Sequence, residues 1–290
     1  MPVSAFELFT NMQWQWVPSL IEDTQALYDS HVTPKGLGDQ HSLAAEKIVP
    51  LRKWGPTQRL FKNNLLPIIR ELGIFYVPKL MEPGPCIVFP ICDHHNFPHH
   101  AMVKPMWPLK GKDGFPIKYA MLGKEKNEGC PTWFGDTDTV ISAIGHTRSV
   151  VLVEGYFDLL ACRLLHPGAP VMTSGTKRIG EPHMQWLRIL GVKKVFIAFD
   201  NEVGRDGGEG AGNMGARLTV QQFNNKHGVA VEAVALPAKD PSACLEHLRS
   251  AYALRNLLRQ MFPAIPVDDP PPNCRHPGRP ATSAIPGSGA

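Results

Sequence analysis

Hydrophobic and polar positions change rhythm three times along the 290-residue chain. From 1 to 74 the apolar residues recur at helical spacing in "SAFELFTNMQWQWV", "SLIEDTQALYDS", "SLAAEKIVPLRKW" and "TQRLFKNNLLPIIRELGI", the last marked by Leu60, Leu65, Ile68, Ile69 and Leu72. Pro34, Gly36, Gly38 and the Gly55-Pro56 pair are expected to separate these helices. From 75 to 148 the runs shorten to "CIVFPICD", "AMVKPMWPL" and "PIKYAML", punctuated by Pro and Gly. That pattern predicts a small antiparallel sheet in a mixed α+β subdomain.

From 149 to 262 unbroken apolar runs of strand length ("SVVLVEG", "APVMTSGT", "KKVFIAFD", "VAVEAVALP") alternate with helical patterns ("FDLLACRLLH", "PHMQWLRILG", "MGARLTVQQFNNKHG") and end in a closing helix, "ACLEHLRSAYALRNLLRQMF". Strands without polar alternation are buried on both faces. The region therefore predicts an α/β fold with a mostly parallel sheet and helices on both sides. The last stretch, 263–290, is rich in Pro and poor in large apolar residues and is expected to be disordered.

Composition narrows this picture little. Hydrophobic residues make up 43% and charged residues 19%, no run approaches the ~20 apolar residues of a membrane span, and the start lacks the basic and apolar blocks of a secretory signal. A cytoplasmic protein without a membrane partner is the expectation. Six cysteines without a CxxC pair read as reduced thiols, several in the core. A net charge of +4 permits nucleic-acid binding without demanding it.

The chemistry gathers at predicted strand ends, where open α/β sheets bind ligands. Glu154 follows the first strand, with Asp158 four residues on in the first turn of the next helix; Asp200 and Glu202 follow the third strand, and Asp240 follows the fourth in "LPAKDPSA". Hard carboxylate oxygens suit Mg²⁺ or Mn²⁺, and such ions serve phosphoryl transfer. For any one of these acids alone, capping the next helix is the more frequent role; their order along the chain shifts the balance.

That order, "VEGYFDLLA", "TSGT", "FIAFDNEVG", "LPAKDPSACL", resembles the TOPRIM domain, a Rossmann-like fold, and most closely its version in bacterial DnaG-type DNA primases. The resemblance implies that Glu154 and Asp158 are catalytic and that Asp200, Glu202 and Asp240 bind Mg²⁺ or Mn²⁺. Glu202 stands where the family usually has Asp, and Ser242 where primases have the second acid of Asp-Pro-Asp. Upstream, "VFPICDHHNF", "PIKYAML" and "WFGDTD" occur in the order of the primase core, so that Lys118 and Tyr119 match a nucleotide- or template-facing pair. The implied function is Mg²⁺-dependent synthesis of short RNA primers from nucleoside triphosphates on single-stranded DNA in replication, with a replicative helicase as partner. The alternatives are a TOPRIM nuclease and a catalytically weak nucleic-acid-binding module. Neither zinc-ribbon cysteines nor a Walker A motif is present, so the chain is expected to lack the zinc-binding and helicase domains.

Other signals are weaker. "CDHHNFPHH" gathers one cysteine and four histidines, but adjacent residues on an extended chain face opposite ways, and an exposed loop is favoured over zinc. Lys110 and Lys112 beside Trp107 suit single-strand binding or a solvated hairpin tip. Lys177 and Arg178 either neutralise triphosphate charge or cap a loop. "GRDGGEGAGNMG" either brings backbone amides to phosphates or is a flexible loop.

Overall fold

A computed structural model of the chain describes residues 34–81, 84–92, 98–107, 109–110, 116–117, 119–122, 133–175, 179–202, 208 and 210–263. The two helices expected before residue 34, the tail from 264, the middle of the histidine segment (93–97), Lys112, Lys118, Lys177, Arg178 and most of the 203–209 glycine loop lie outside these residues, as does the side chain of Lys110.

Helix α1 (Pro34–Leu51) opens the described chain. It runs through Pro34, Gly36 and Gly38, which were expected to break it: proline at a first helical position forfeits no hydrogen bond. The next helical pattern does divide, into a 3₁₀ segment (Gly55–Leu60) and helix α2 (Leu65–Glu71). Pro67 is the third residue of α2, within the first turn where its missing N–H is tolerated.

Strands β1 (Phe75–Met81), β2 (Gly84–Cys92) and β3 (Pro98–Pro105) pair antiparallel. The "PIKYAML" run supplies two pieces, β5 (Pro116–Ile117), which pairs with β4 (Leu109–Lys110), and β6 (Ala120–Leu122), which completes the sheet in the order β1-β2-β3-β6. Helix α3 (Asp138–Thr147) then leads into the α/β unit, capped by Thr137, whose hydroxyl accepts from the Val140 N–H.

The α/β unit runs β7 (Ser149–Val153), α4 (Tyr156–Leu165), β8 (Val171–Thr173), α5 (Glu181–Ile189), β9 (Lys194–Ala198), α6 (Ala211–Phe223), β10 (Ala230–Ala233), a short α7 (Pro241–Cys244) and α8 (Leu248–Met261). Its four strands pair parallel in the order β10-β9-β7-β8. The chain leaves β7 for β8 on one side and returns to β9 on the other, so strand order reverses between β7 and β9, the crevice where such sheets bind ligands. Val153 pairs with both Thr173 and Ala198, so three strands end level and release their next residues at one edge.

Successive β7 residues serve opposite cores, as a two-residue period requires. Val150 and Leu152 join Val140 and Ile144 of α3, Leu187 of α5 and Phe223 of α6. Val151 and Val153 join Leu160 of α4, Cys244 of α7 and Leu254 of α8, together with Ile48, Trp54, Phe61 and Ile69 from the first segment. Among the described residues Cys86, Cys162 and Cys244 are buried free thiols, and no helix is long and apolar enough to cross a membrane.

The first segment is fixed to the α/β unit by polar contacts as well. The Arg163 guanidinium on α4 is 1% exposed; it donates to Glu71 Oε2 at 2.8 Å and to the Pro167 carbonyl at 2.9 Å. Thr137 donates to the other Glu71 oxygen. Removing one partner of a buried pair strands the other charge in low dielectric. Glu71→Ala is expected to cost about 2–3 kcal/mol, read as a lower urea midpoint at unchanged m-value; Glu71→Gln, which keeps acceptor and shape, is expected to lose less.

Candidate active site

Each acid at the level edge is positioned by a different element. Glu154 leaves β7, and its backbone carbonyl accepts from the buried Thr173 hydroxyl at 2.9 Å, which ties the end of β7 to β8. Thr173 Oγ1 accepts in turn from the Gly175 N–H at 2.9 Å.

Asp158 lies one turn on, at the third position of α4, and is 8% exposed. One of its oxygens accepts from the Gly155 N–H at 3.0 Å, the other from the Ser242 N–H at 3.1 Å. The carboxyl thus joins the start of α4 to the start of α7. Burial, then the neighbouring Asp240 and Asp200, raise its pKa well above the usual carboxylate range.

Asp200 follows Phe199 at the end of β9. Burial, with Glu154 and Asp240 close by, pushes its pKa up to about 6. Asp240 caps α7, accepting from the Ala243 N–H at 2.6 Å. The residues after β9 and β10 are joined directly: the Asn201 N–H donates to the Lys239 carbonyl at 2.5 Å. Mutual electrostatic influence among Glu154, Asp158, Asp200, Glu202 and Asp240 is the mark of one acidic corner.

Two cations stand inside it. Lys239 Nζ lies 2.6 Å from Glu202 Oε1, and its pKa is raised first by that hydrogen bond and further by Asp200 and Asp240. Arg52, just past α1, donates to the Ser242 hydroxyl from Nε at 2.9 Å and from a terminal nitrogen at 2.7 Å, and its guanidinium lies over the Phe157 ring at 5.0 Å. Trp54, fully buried, donates from its indole N–H to the Ser242 carbonyl at 2.9 Å, and Thr57 donates to the Leu245 carbonyl at 2.6 Å. No local sequence signal marks these partners, which are nearly two hundred residues away from α7.

The glycines after Glu202 have a structural task. A Cβ on Gly210 would come within 2.1 Å of the Glu202 carbonyl oxygen, and one on Gly212 within 2.2 Å of the Asp200 carbonyl oxygen. Hydrogen then is the only side chain that lets α6 start directly behind the acidic loop. The Gly210 N–H donates to the Glu202 carbonyl at 3.0 Å, and the Asn213 amide donates to the same carbonyl and to the Asn201 side chain.

Tyr119 is placed beneath the corner, its ring 5.8 Å from Tyr156 and 6.4 Å from Phe157, with Lys104 over its face at 5.5 Å. Burial raises its pKa, with Arg52, Asp158, Tyr156 and Asp240 as charged or ionisable neighbours. Trp107 is 60% exposed.

The donor set tests well against a hard divalent cation in its chemistry: oxygens alone, crowded so that two carboxyls resist ionisation. Among the described residues no three acidic, His or Cys side chains already stand in a chelating group; Lys239 engages Glu202, and backbone N–H groups engage Asp158 and Asp240.

No protein-family model matches the chain. Over 79 residues, 27% of the chain, it is 40% identical to "Uncharacterized protein MG010" of Mycoplasma genitalium, and the match spans 35% of that relative's length. Among solved structures it is similar to the RNA polymerase domain of Mycobacterium tuberculosis primase DnaG in complex with a double-stranded DNA oligomer with a 6-nucleotide overhang. That likeness has a TM-score of 0.52 at 18% identity and covers 90% of this chain and 84% of that one. The same domain solved without DNA matches with a TM-score of 0.50 at 17% identity, over 79% of this chain and 84% of that one. At such identity the likeness is one of fold: this chain shares the mixed α/β architecture of a DnaG-type primase catalytic domain.

Proposed function

We propose that the chain carries a TOPRIM site and is a primase-like nucleotidyltransferase, which joins nucleoside triphosphates on a single-stranded DNA template with Mg²⁺ or Mn²⁺. The observation that carries this reading is the meeting of Glu154 and Asp200 at the reversal of strand order, with Asp240 beside them, in a fold shared with a primase polymerase domain. Asp200 and Asp240 would hold the ion; Glu202 stands beside them with Lys239 on its carboxylate. When bound, such an ion neutralises phosphate charge and lowers the pKa of a coordinated hydroxyl.

The chain's own groups divide the rest of the work. Glu154 is positioned to take the proton of an attacking sugar hydroxyl, a role that contributes about 10²–10⁴-fold in comparable enzymes. Asp158, held by two backbone N–H groups, keeps α4 and α7, and so Glu154 and Asp240, at a fixed separation. Arg52 and Lys104 bring positive charge to the same side of Tyr119, where it serves template or triphosphate phosphates.

Incubation with single-stranded DNA, ribonucleoside triphosphates and Mg²⁺ or Mn²⁺ is expected to yield short template-dependent primers, with Glu154→Gln and Asp200→Asn each reducing the rate by about 10²–10³-fold. No primer across varied templates and both metals overturns the reading, and cleavage of DNA without triphosphates marks a nuclease instead.

The charge crowding also sets a pH dependence. Asp200 titrates near 6 in the fold and near 4 unfolded. The folded state therefore holds that proton more tightly, and the stability it contributes is present below about pH 4 and lost as pH rises through about 6. Asp200→Asn is expected to remove this loss, stabilising the metal-free chain at pH 7.5 by about 1 kcal/mol after allowance for solvent screening. Thermal melts of both forms between pH 4.5 and 8 check it: the two curves should converge at the acid end.

A further inference from the structure

The sequence departs from the acidic pattern of primase sites at two positions, and at both a basic side chain is bonded in place. Ser242 receives Arg52 through two hydrogen bonds, and Glu202 receives Lys239 at 2.6 Å. The Lys239 pair is more than a meeting of two loose surface side chains. Its two backbones are joined by the Asn201 N–H to Lys239 carbonyl bond at 2.5 Å, and the Glu202 carbonyl is held by Gly210 and Asn213 from α6. Glu and Lys therefore start from fixed points, which reduces the side-chain entropy that usually cancels an exposed pair.

A second divalent ion in a site of this kind sits about 3.5–4 Å from the first and needs carboxylate oxygens of its own. Asp200 and Asp240 also face Lys239, so the ammonium lies within the field that would draw a second ion. Unlike Mg²⁺, it brings its charge on a covalent tether. Resting on the reading that the corner binds a divalent cation for phosphoryl transfer, we propose that Lys239 is a resident cation that takes Glu202 out of the ligand set, so that the corner binds one divalent ion through Asp200, Asp240 and Glu154. Arg52 fills the corresponding place at Ser242, where an acid would otherwise add charge.

Mn²⁺ binding to the full chain, followed by the loss of the free-ion EPR signal, tests this without recourse to activity. The wild type is expected to bind one Mn²⁺. Glu202→Gln is expected to keep that stoichiometry with affinity within about threefold, the range of a lost exposed charge. Lys239→Met frees Glu202 and is expected to bind two. Two ions on the wild type, a more than about tenfold loss of affinity in Glu202→Gln, or unchanged binding in Lys239→Met overturns the proposal. One bound ion without primer synthesis overturns the functional reading alone, whereas no Mn²⁺ on the wild type overturns the metal part of that reading and this proposal with it.

Discussion

Carboxylates brought together repel one another, and an acidic corner at the edge of a sheet exists only if something outweighs that repulsion. Here the opposing forces are fixed dipoles and fixed cations. Asp158 takes two backbone N–H groups, Asp240 takes one, and Lys239 and Arg52 bring formal charge. None of these is strong enough alone to hold several elements in register: a hydrogen bond to a charged group contributes about 1.5–3 kcal/mol net. What makes them additive is the rigid apolar scaffold behind them, in which Val151, Val153, Leu160 and Leu254 are excluded from water.

That scaffold is not built by the α/β unit alone. Trp54 and Phe61 meet edge to face, Trp54 meets Phe157 of α4 in the same way, and Phe157 also carries the Arg52 guanidinium. A cation over an aromatic face that is otherwise buried is held against solvent and gains from the low dielectric. The first segment is therefore structural support for the site. It fixes α7 through Ser242 and Leu245, and α7 begins at Asp240. The contacts from this segment to α7 span most of the chain and close large loops, an entropic cost met once when the whole core forms. Stability and site geometry are thus coupled: loosening the segment releases Asp240 before it reaches the sheet.

The legible part of the fold was what local sequence controls. Unbroken apolar runs such as "SVVLV" and "KVFIA" have no polar face to offer water, so they read as strands covered on both sides, and β7 and β9 form there. The acids were legible because each directly follows such a run. Breakers were less reliable: Pro34, Gly36 and Gly38 lie inside α1, since a proline at a helix start costs nothing and glycine's penalty of about 1 kcal/mol is small beside tertiary packing. The roles of Arg52 and Trp54 were not legible, because a partner far off in sequence leaves no periodicity to detect. Nor was the use of Gly210 and Gly212 as a close-packed backing for the acidic loop, although a glycine-rich run after two acids was its outward sign.

The glutamate at position 202 illustrates how such a site tolerates a change in its acids. Relative to aspartate, one more methylene carries the carboxylate farther from the backbone that ends β9, and on this chain the nearest cation to meet it is Lys239, on the loop after β10. A shorter acid would keep its charge beside Asp200, whose own carboxyl already resists ionisation. Lengthening the arm and supplying the lysine therefore relieve the same repulsion, and replacing an acid by Ser242 under Arg52 relieves it at the other end of the corner. Each departure is intelligible only with its cation. An aspartate restored at 242 would meet Arg52 and form an ion pair, whereas one restored at 202 would abandon Lys239 and return its charge to Asp200. The two substitutions look alike in sequence and are opposite in electrostatics.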